Sequence, residues 1–210
     1  VARFRTGRVA AVTEERPDLI RVVVATESGQ SGQMEALGYP GMLGPVRVGD
    51  EVVVNVTGPE LALGTGGVGF LLWNLDGRPW GGGGAGHIVK LRYTPWQTNV
   101  LAAEEAGGPH HEVLATCDSI DGMPVVACGL HSLVAGAAAG IKAARPGALV
   151  GYLMSDGGAL PLGFSRLVRS LRGAGLIDVT CTYGHAFGGD VEAVNVFSGL
   201  AALRAGEGVD

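Results

Sequence analysis

Three times in its second half the chain passes from a strand-like apolar run towards a helix-like run through a short, polar, glycine-marked junction. The junctions are Cys128-Gly129-Leu130-His131-Ser132, then Ser155-Asp156-Gly157-Gly158, then Tyr183-Gly184-His185 continuing to Gly188-Gly189-Asp190. Strands alternating with helices need crossover connections, and right-handed crossovers lead to a mainly parallel, Rossmann-like sheet with helices on its faces. In such a sheet the junctions gather at the carboxyl ends of the strands, where helix N-termini leave N–H groups unpaired and ligands bind. The pattern places a candidate site without naming a reaction.

The periodicity assigns this α/β domain to residues 87–210. Strands are expected at 87–93, within 109–122, and at 123–128, 148–154 and 177–182, with 95–105 open between strand and helix. Helices are expected at 130–144, 160–174 and 191–204. The small residues Gly136, Ala137, Ala138, Ala139 and Gly140 would let the first of these lie close to the sheet, and Arg145-Pro146-Gly147 ends it.

Residues 1–75 read differently. Five β-rich runs, 4–13, 19–26, 33–37, 51–57 and 68–73, are separated by turn chemistry at Pro17-Asp18, Ser28-Gly29, Pro40-Gly41 and Val48-Gly49-Asp50. Five short strands with this punctuation predict a small barrel of the oligonucleotide-binding or SH3-like kind. Nucleic acid is not its expected partner. Acids outnumber arginines in this segment, and Phe4, Tyr39, Phe70 and Trp73 are not interleaved with basic residues. Packing on the second domain, or a contact in a homo-oligomer, is the expected role. Residues 76–86, with glycine at 77, 81–84 and 86, read as a linker; they lack the Lys-Ser/Thr partner of a phosphate-binding loop.

Bulk properties narrow the class. A formal net charge of −5 disfavours phosphate backbones and acidic membrane surfaces. Three cysteines without a CxxC spacing write neither a disulfide framework nor a zinc knuckle, which points to a reducing, cytoplasmic setting. Cys128 and Cys181 fall in expected buried strands, where a thiol acts as a small hydrophobe. The longest apolar stretch, 133–144, is too short to span a membrane and carries Lys142; Arg3, Arg5 and Arg8 are not followed by an apolar signal core.

Several separated motifs, in order, carry a family likeness: Lys90-Leu91-Arg92-Tyr93-Thr94-Pro95, Ser155-Asp156-Gly157-Gly158-Ala159-Leu160-Pro161, and Gly184-His185-Ala186-Phe187-Gly188-Gly189-Asp190-Val191-Glu192-Ala193-Val194-Asn195. On these the chain resembles the bacterial domain of unknown function 3866 family (DUF3866) from its β-rich start to its last helix. The resemblance implies a cytosolic bacterial protein with no established activity, so no catalytic residues carry over. It also implies a longer parent with another glycine-rich segment, of which a chain ending at Asp210 would be a truncated version.

From the residues themselves, Asp156 and His185 are the candidate acid/base pair and His131 supports them. Asp156 sits at a strand end where a carboxylate meets a ligand hydroxyl, a metal or a histidine, and histidine titrates near neutrality. Ser155, Gly157, Gly158, Gly188, Gly189, Asp190 and Ser132 are candidate ligand-binding positions through side chains or N–H groups. Simpler roles compete: Ser132 and Asp190 as helix N-caps, Ser155 and Asp156 in a turn. A Ser132–His185–Asp156 triad lacks the G-x-S-x-G elbow, and a divalent metal on His131, Asp156 and His185 lacks a short ligand motif. His110-His111-Glu112 reads as a solvated loop. The expectation is a hydrolase or transferase acting on a small anionic metabolite, with a non-catalytic sensing or assembly protein as the alternative.

Overall fold

The computed structural model describes residues 1–26, 32–62, 66–77, 81, 85–158 and 161–210. The chain divides into two compact units, Val1–Gly83 and Gly84–Asp210. The Ser28-Gly29 turn, most of the expected linker (78–80 and 82–84) and the first residue of the expected 160–174 helix lie outside the described residues.

The first unit is a closed barrel of five strands: β1 (Phe4–Glu15), β2 (Ile20–Ala25), β3 (Gln33–Gly38), β4 (Glu51–Asn55) and β5 (Gly69–Asn74). Short helices α1 (Pro40–Leu43) and α2 (Thr57–Glu60) flank β4 in sequence. Alternation drives closure. Ile20, Val22 and Val24 of β2 and Val52 and Val54 of β4 point inward and are buried, while their neighbours are partly exposed. The twelve-residue β1 serves two partners, bonding β4 along Phe4–Arg8 and β2 along Arg8–Glu15, and two register shifts in its second half bend it. Gly7 lies where it turns: a Cβ there would meet Ala25 O at 2.5 Å and Val24 Cγ1 at 2.6 Å. Parallel pairing of β3 with β5 completes the ring. On its surface Arg3 and Arg5 pair with Glu60, and Arg21 pairs with Glu14 and Glu35.

The second unit begins with an antiparallel ribbon, β6 (Ile88–Lys90) with β7 (Thr98–Val100), followed by α3 (His111–Thr116) and α4 (Leu133–Ala144). A parallel sheet then forms from β8 (Gly151–Met154), β9 (Val179–Thr182) and β10 (Val191–Glu192), in the order β10-β9-β8. A 3₁₀ turn, Leu162–Phe164, leads into α5 (Arg166–Gly173); α6 (Val196–Ala201) follows β10 and runs into a π-turn, Ala202–Gly206. Two apolar clusters cover the sheet. Val150 and Met154 pack with Val134, Ala138, Val168 and Leu171 of α4 and α5, while Val179, Cys181 and Val191 pack with Ala202 and Leu203.

The strands are parallel as the alternation predicted, but the extended Rossmann-like sheet is not formed: among the described residues it has three strands. Residues 123–128 do not pair with β8. Pro124 has no N–H to give, and Val125 and Val126 are exposed rather than buried. Residues 109–122, expected to include a short strand, hold the helix α3 at His111–Thr116 and no strand. The expected 191–204 helix starts as β10, and α6 is capped by Asn195, whose Oδ1 accepts from the Phe197 and Ser198 N–H groups in a reciprocal capping box. The 160–174 helix starts only at Arg166, because Ser165 Oγ accepts the Val168 N–H and caps it there. In α4 Ala138 packs against the sheet, but the two glycines of the small-residue run are not needed for close approach: a Cβ on Gly136 or Gly140 would meet nothing within 4 Å.

Among the described residues of this unit, a lysine lies fully inside. Lys90 is completely buried, its Nζ donating to Ala193 O at 3.2 Å and standing 3.3 Å from Glu192 Oε2. Glu192 also accepts from Thr182 Oγ1 at 2.8 Å and from the Gly188 N–H at 2.6 Å, and burial raises its carboxyl above the usual range. Lys90→Met is expected to cost about 3–5 kcal/mol at neutral pH, because it strands a buried carboxylate. The raised carboxyl stabilises the fold below the ordinary carboxyl value of about 4.3 and loses that contribution as pH rises through its folded value. The loss, read from urea midpoints, should therefore be smaller at pH 5 than at pH 8, and adding Glu192→Gln should recover much of it. Asn195→Ala should cost about 1 kcal/mol by the same measurement.

Candidate functional site

β8 is an edge strand, and beyond its free edge a cavity of about 430 Å³ opens between residues 123–131, α4 and β8. Val134, Ala138, Ile141, Leu153, Leu200 and Leu203 supply apolar wall. Polar groups enter from the first junction through His131 and Cys128, from β8 through Tyr152, and from the second junction through Ser155, Gly157 and Gly158.

His131 is the centre of this polar edge. It is half-buried, its Nδ1 lies 2.8 Å from the Tyr152 hydroxyl, and its Nε2 lies 2.7 Å from Ser165 Oγ. The His131 and Tyr152 rings tilt against each other at 55° with centroids 5.8 Å apart. Desolvation lowers the imidazole below its ordinary value, so it is neutral at physiological pH. Burial, helped by nearby Cys128, pushes the Tyr152 phenol up to about 12 and keeps it protonated. The result is a run of neutral hydrogen-bonding groups from β8 through the first junction to the N-cap of α5.

The other expected site residues lie elsewhere or are bonded locally. Ser132 occupies the N-cap position of α4 but makes no side-chain capping bond. Asp156 is exposed, with its carboxylate against Gly184, whose φ is +66° and where a Cβ would collide with Oδ1. His185 is partly buried, and its enclosed Nδ1 has no hydrogen-bond partner among the described residues. Asp190 does not cap a helix: it accepts from the Thr180 N–H and Oγ1 and pairs with Arg172 at 2.7 Å, because the chain continues as β10. Burial opposes its ionisation, but Arg172 and Thr180 together hold the carboxyl below the usual range. The glycine N–H groups are already bonded, within the second junction or to the strands that flank the third. Gly157 donates to Ser155 Oγ, Gly158 to Ser155 O, Gly188 to Glu192 Oε1 and Gly189 to Thr182 Oγ1.

Among the described residues no group of three or more His, Cys, Asp or Glu side chains is arranged to hold a metal ion, and no helix is long and apolar enough to cross a membrane. His110 and His111 are tied to the fold, to Glu207 at 2.8 Å and to Glu104 O at 2.7 Å, not left in a solvated loop. Burial pushes the Cys181 thiol up to about 12, as expected of a strand cysteine acting as a hydrophobe.

Sequence reasoning passed over Tyr152 and Ser165. The available signal was Ser165, an N-cap residue type placed directly before an amphipathic run and four residues after Pro161, which marks a later helix start.

The lowered imidazole has a testable linkage. The unfolded chain takes up a proton as pH falls through about 6.5, while folded His131 resists until a lower pH. Its contribution to stability should therefore decline from about pH 6.5 down to its folded value and then level off. His131→Gln should flatten that part of the difference between urea midpoints at pH 7.5 and pH 5.5.

No curated protein and no solved structure matches the chain. A family model described as a protein of unknown function (DUF3866) matches residues 35–210, most of its length. From the barrel's third strand through the cavity and its polar edge, the chain belongs to the DUF3866 family.

Proposed function

We propose that the α/β unit is a hydrolase or transferase that takes a small molecule into the cavity beside β8, with His131 as its acid/base group. The observation supporting this is a half-buried, neutral imidazole on the cavity wall with a hydrogen bond on each ring nitrogen. A neutral histidine in a fixed orientation is suited to accept a proton.

The substrate proposed here differs from the anion suggested by the glycines. The N–H groups of Gly157, Gly158, Gly188 and Gly189 are already engaged, and the cavity wall is largely aliphatic. Such a wall favours a molecule whose bulk is uncharged, with one polar group towards His131 and Tyr152. Nucleic acid is not the ligand proposed for the barrel, since Arg3, Arg5 and Arg21 are paired with carboxylates. A non-catalytic, metabolite-sensing role is the second reading, favoured by the saturation of both His131 nitrogens in the resting protein.

Thermal unfolding against uncharged acyl compounds and phosphorylated metabolites tests the proposal, together with turnover of chromogenic esters. At a ligand concentration of about 100 times Kd the fold should gain roughly 2.7 kcal/mol, seen as a rise in Tm. An acyl-compound shift lost in His131→Ala and kept in Asp156→Ala supports the site, and turnover lost in the same variant supports the enzyme. Binding without turnover supports the sensor. A shift produced only by phosphorylated metabolites and abolished by Asp156→Ala would overturn the cavity as the site.

A further inference from the structure

We infer that Ser165 is a covalent nucleophile that cleaves carboxylic esters of short apolar acids; this rests on the hydrolase reading above and names its chemistry. The hydrogen-bond count carries the argument. Ser165 Oγ accepts the Val168 N–H at 3.1 Å and lies 2.7 Å from His131 Nε2. Ser165 is only 7% exposed, so its own proton needs an acceptor inside the protein, and among the described residues His131 Nε2 is the acceptor within reach. The serine therefore donates to Nε2. The imidazole then carries its proton on Nδ1 and donates it to the Tyr152 hydroxyl at 2.8 Å. This is the tautomer a hydroxyl nucleophile requires of its base, with a phenol oxygen in the orienting position that a carboxylate fills in serine proteases.

The surroundings suit an acyl group. The first N–H groups of a helix have no intrahelical acceptor, and in the eight-residue α5 Ser165 itself takes that of Val168. Those of Arg166 and Leu167, the two residues after the nucleophile, have no acceptor among the described residues and would serve a developing oxyanion. His131 and Tyr152 connect this point to the aliphatic wall of the cavity, which would receive the acyl chain.

The reaction balances with water as co-reactant. Ser165 Oγ bonds to the ester carbonyl carbon as its proton passes to His131 Nε2. The carbon–oxygen bond to the alcohol breaks, and that proton leaves with the alkoxide. Water, deprotonated by the same nitrogen, then attacks the acyl-serine carbonyl, releasing the acid and returning the proton to Ser165 Oγ. A phenol stabilises the intervening imidazolium less than a carboxylate does. Slow turnover is therefore expected, and with p-nitrophenolate as an easily expelled leaving group acylation outpaces hydrolysis, so the acyl-enzyme accumulates.

Labelling of the whole chain with a fluorophosphonate, read by intact mass and peptide mapping, tests the inference alongside p-nitrophenyl acetate and butyrate kinetics. One adduct per chain on the peptide holding Ser165 is expected, with at least a 100-fold slower labelling rate in His131→Gln. Ser165→Asn keeps an N-cap residue on α5 and removes the hydroxyl; it should take no label there and show no burst. Absence of an adduct on wild type, an adduct on another residue, or unchanged ester turnover in Ser165→Asn would overturn the nucleophile. Turnover kept in Ser165→Asn but lost in His131→Gln would do so while leaving the acid/base reading intact, whereas unchanged turnover in both variants would remove both.

Discussion

Burial of the Lys90 ammonium constrains the α/β unit more than any other single interaction. Taking one charge out of water costs several kcal/mol even after relaxation, so a lysine with no exposed surface must be met by a carboxylate and by backbone oxygen. Glu192 and Ala193 O meet it, and Glu192 in turn engages Thr182 of β9 and the Gly188 N–H. The β6–β7 ribbon, the last two strands of the sheet and the third junction are thereby held to one charge. Two further bonds fasten the same region: the Ala103 N–H to Glu192 O, and the Val194 N–H to Glu104 Oε1. The loop around Gly188 and Gly189 is drawn inward by this network, which explains why its N–H groups are occupied.

The cavity has a different origin. Among the described residues the parallel sheet has three strands, which leaves β8 with one unpaired edge that residues 123–128 border without supplying a strand. Pro124 cannot donate to a strand ladder, and Val125 and Val126 stand exposed beside the cavity rather than buried in a sheet, so space opens where another strand would have stood. The first junction then delivers His131 to the wall of that space. Across it, β8 presents Tyr152 on the face covered by α4 and α5, and the late start of α5 brings Ser165 to the second imidazole nitrogen. The proposed chemistry thus depends on a sheet that stops early and a helix that starts late.

The barrel was legible in the chain because period-two alternation and turn residues are local signals: runs such as Ile20, Val22 and Val24 state both the element and its inner face. Helix α4 and the parallel character of β8 and β9 were legible for the same reason. The failures fell where neighbouring segments decide. Residues 191–204 have apolar content that suits a helix or a strand, and only pairing with β9 makes the first two β10. Asp190 has the residue type of an N-cap, yet Thr180 and Arg172, ten and eighteen residues away, claim its carboxylate.

The sequence by itself determined that a β-rich unit precedes an alternating α/β unit, that glycine-marked junctions follow β8 and β9, and that His131 lies in one of the candidate segments, since composition, periodicity and turn chemistry act over a few residues. Tertiary structure alone decided that His131 joins Tyr152 and Ser165 rather than Asp156 and His185. It also decided that Lys90 is internal and that residues 123–128 border a cavity instead of extending the sheet. Each of these depends on pairing between residues distant in the chain, where hydrogen bonds and desolvation are settled by which segment arrives, not by what the segment is made of.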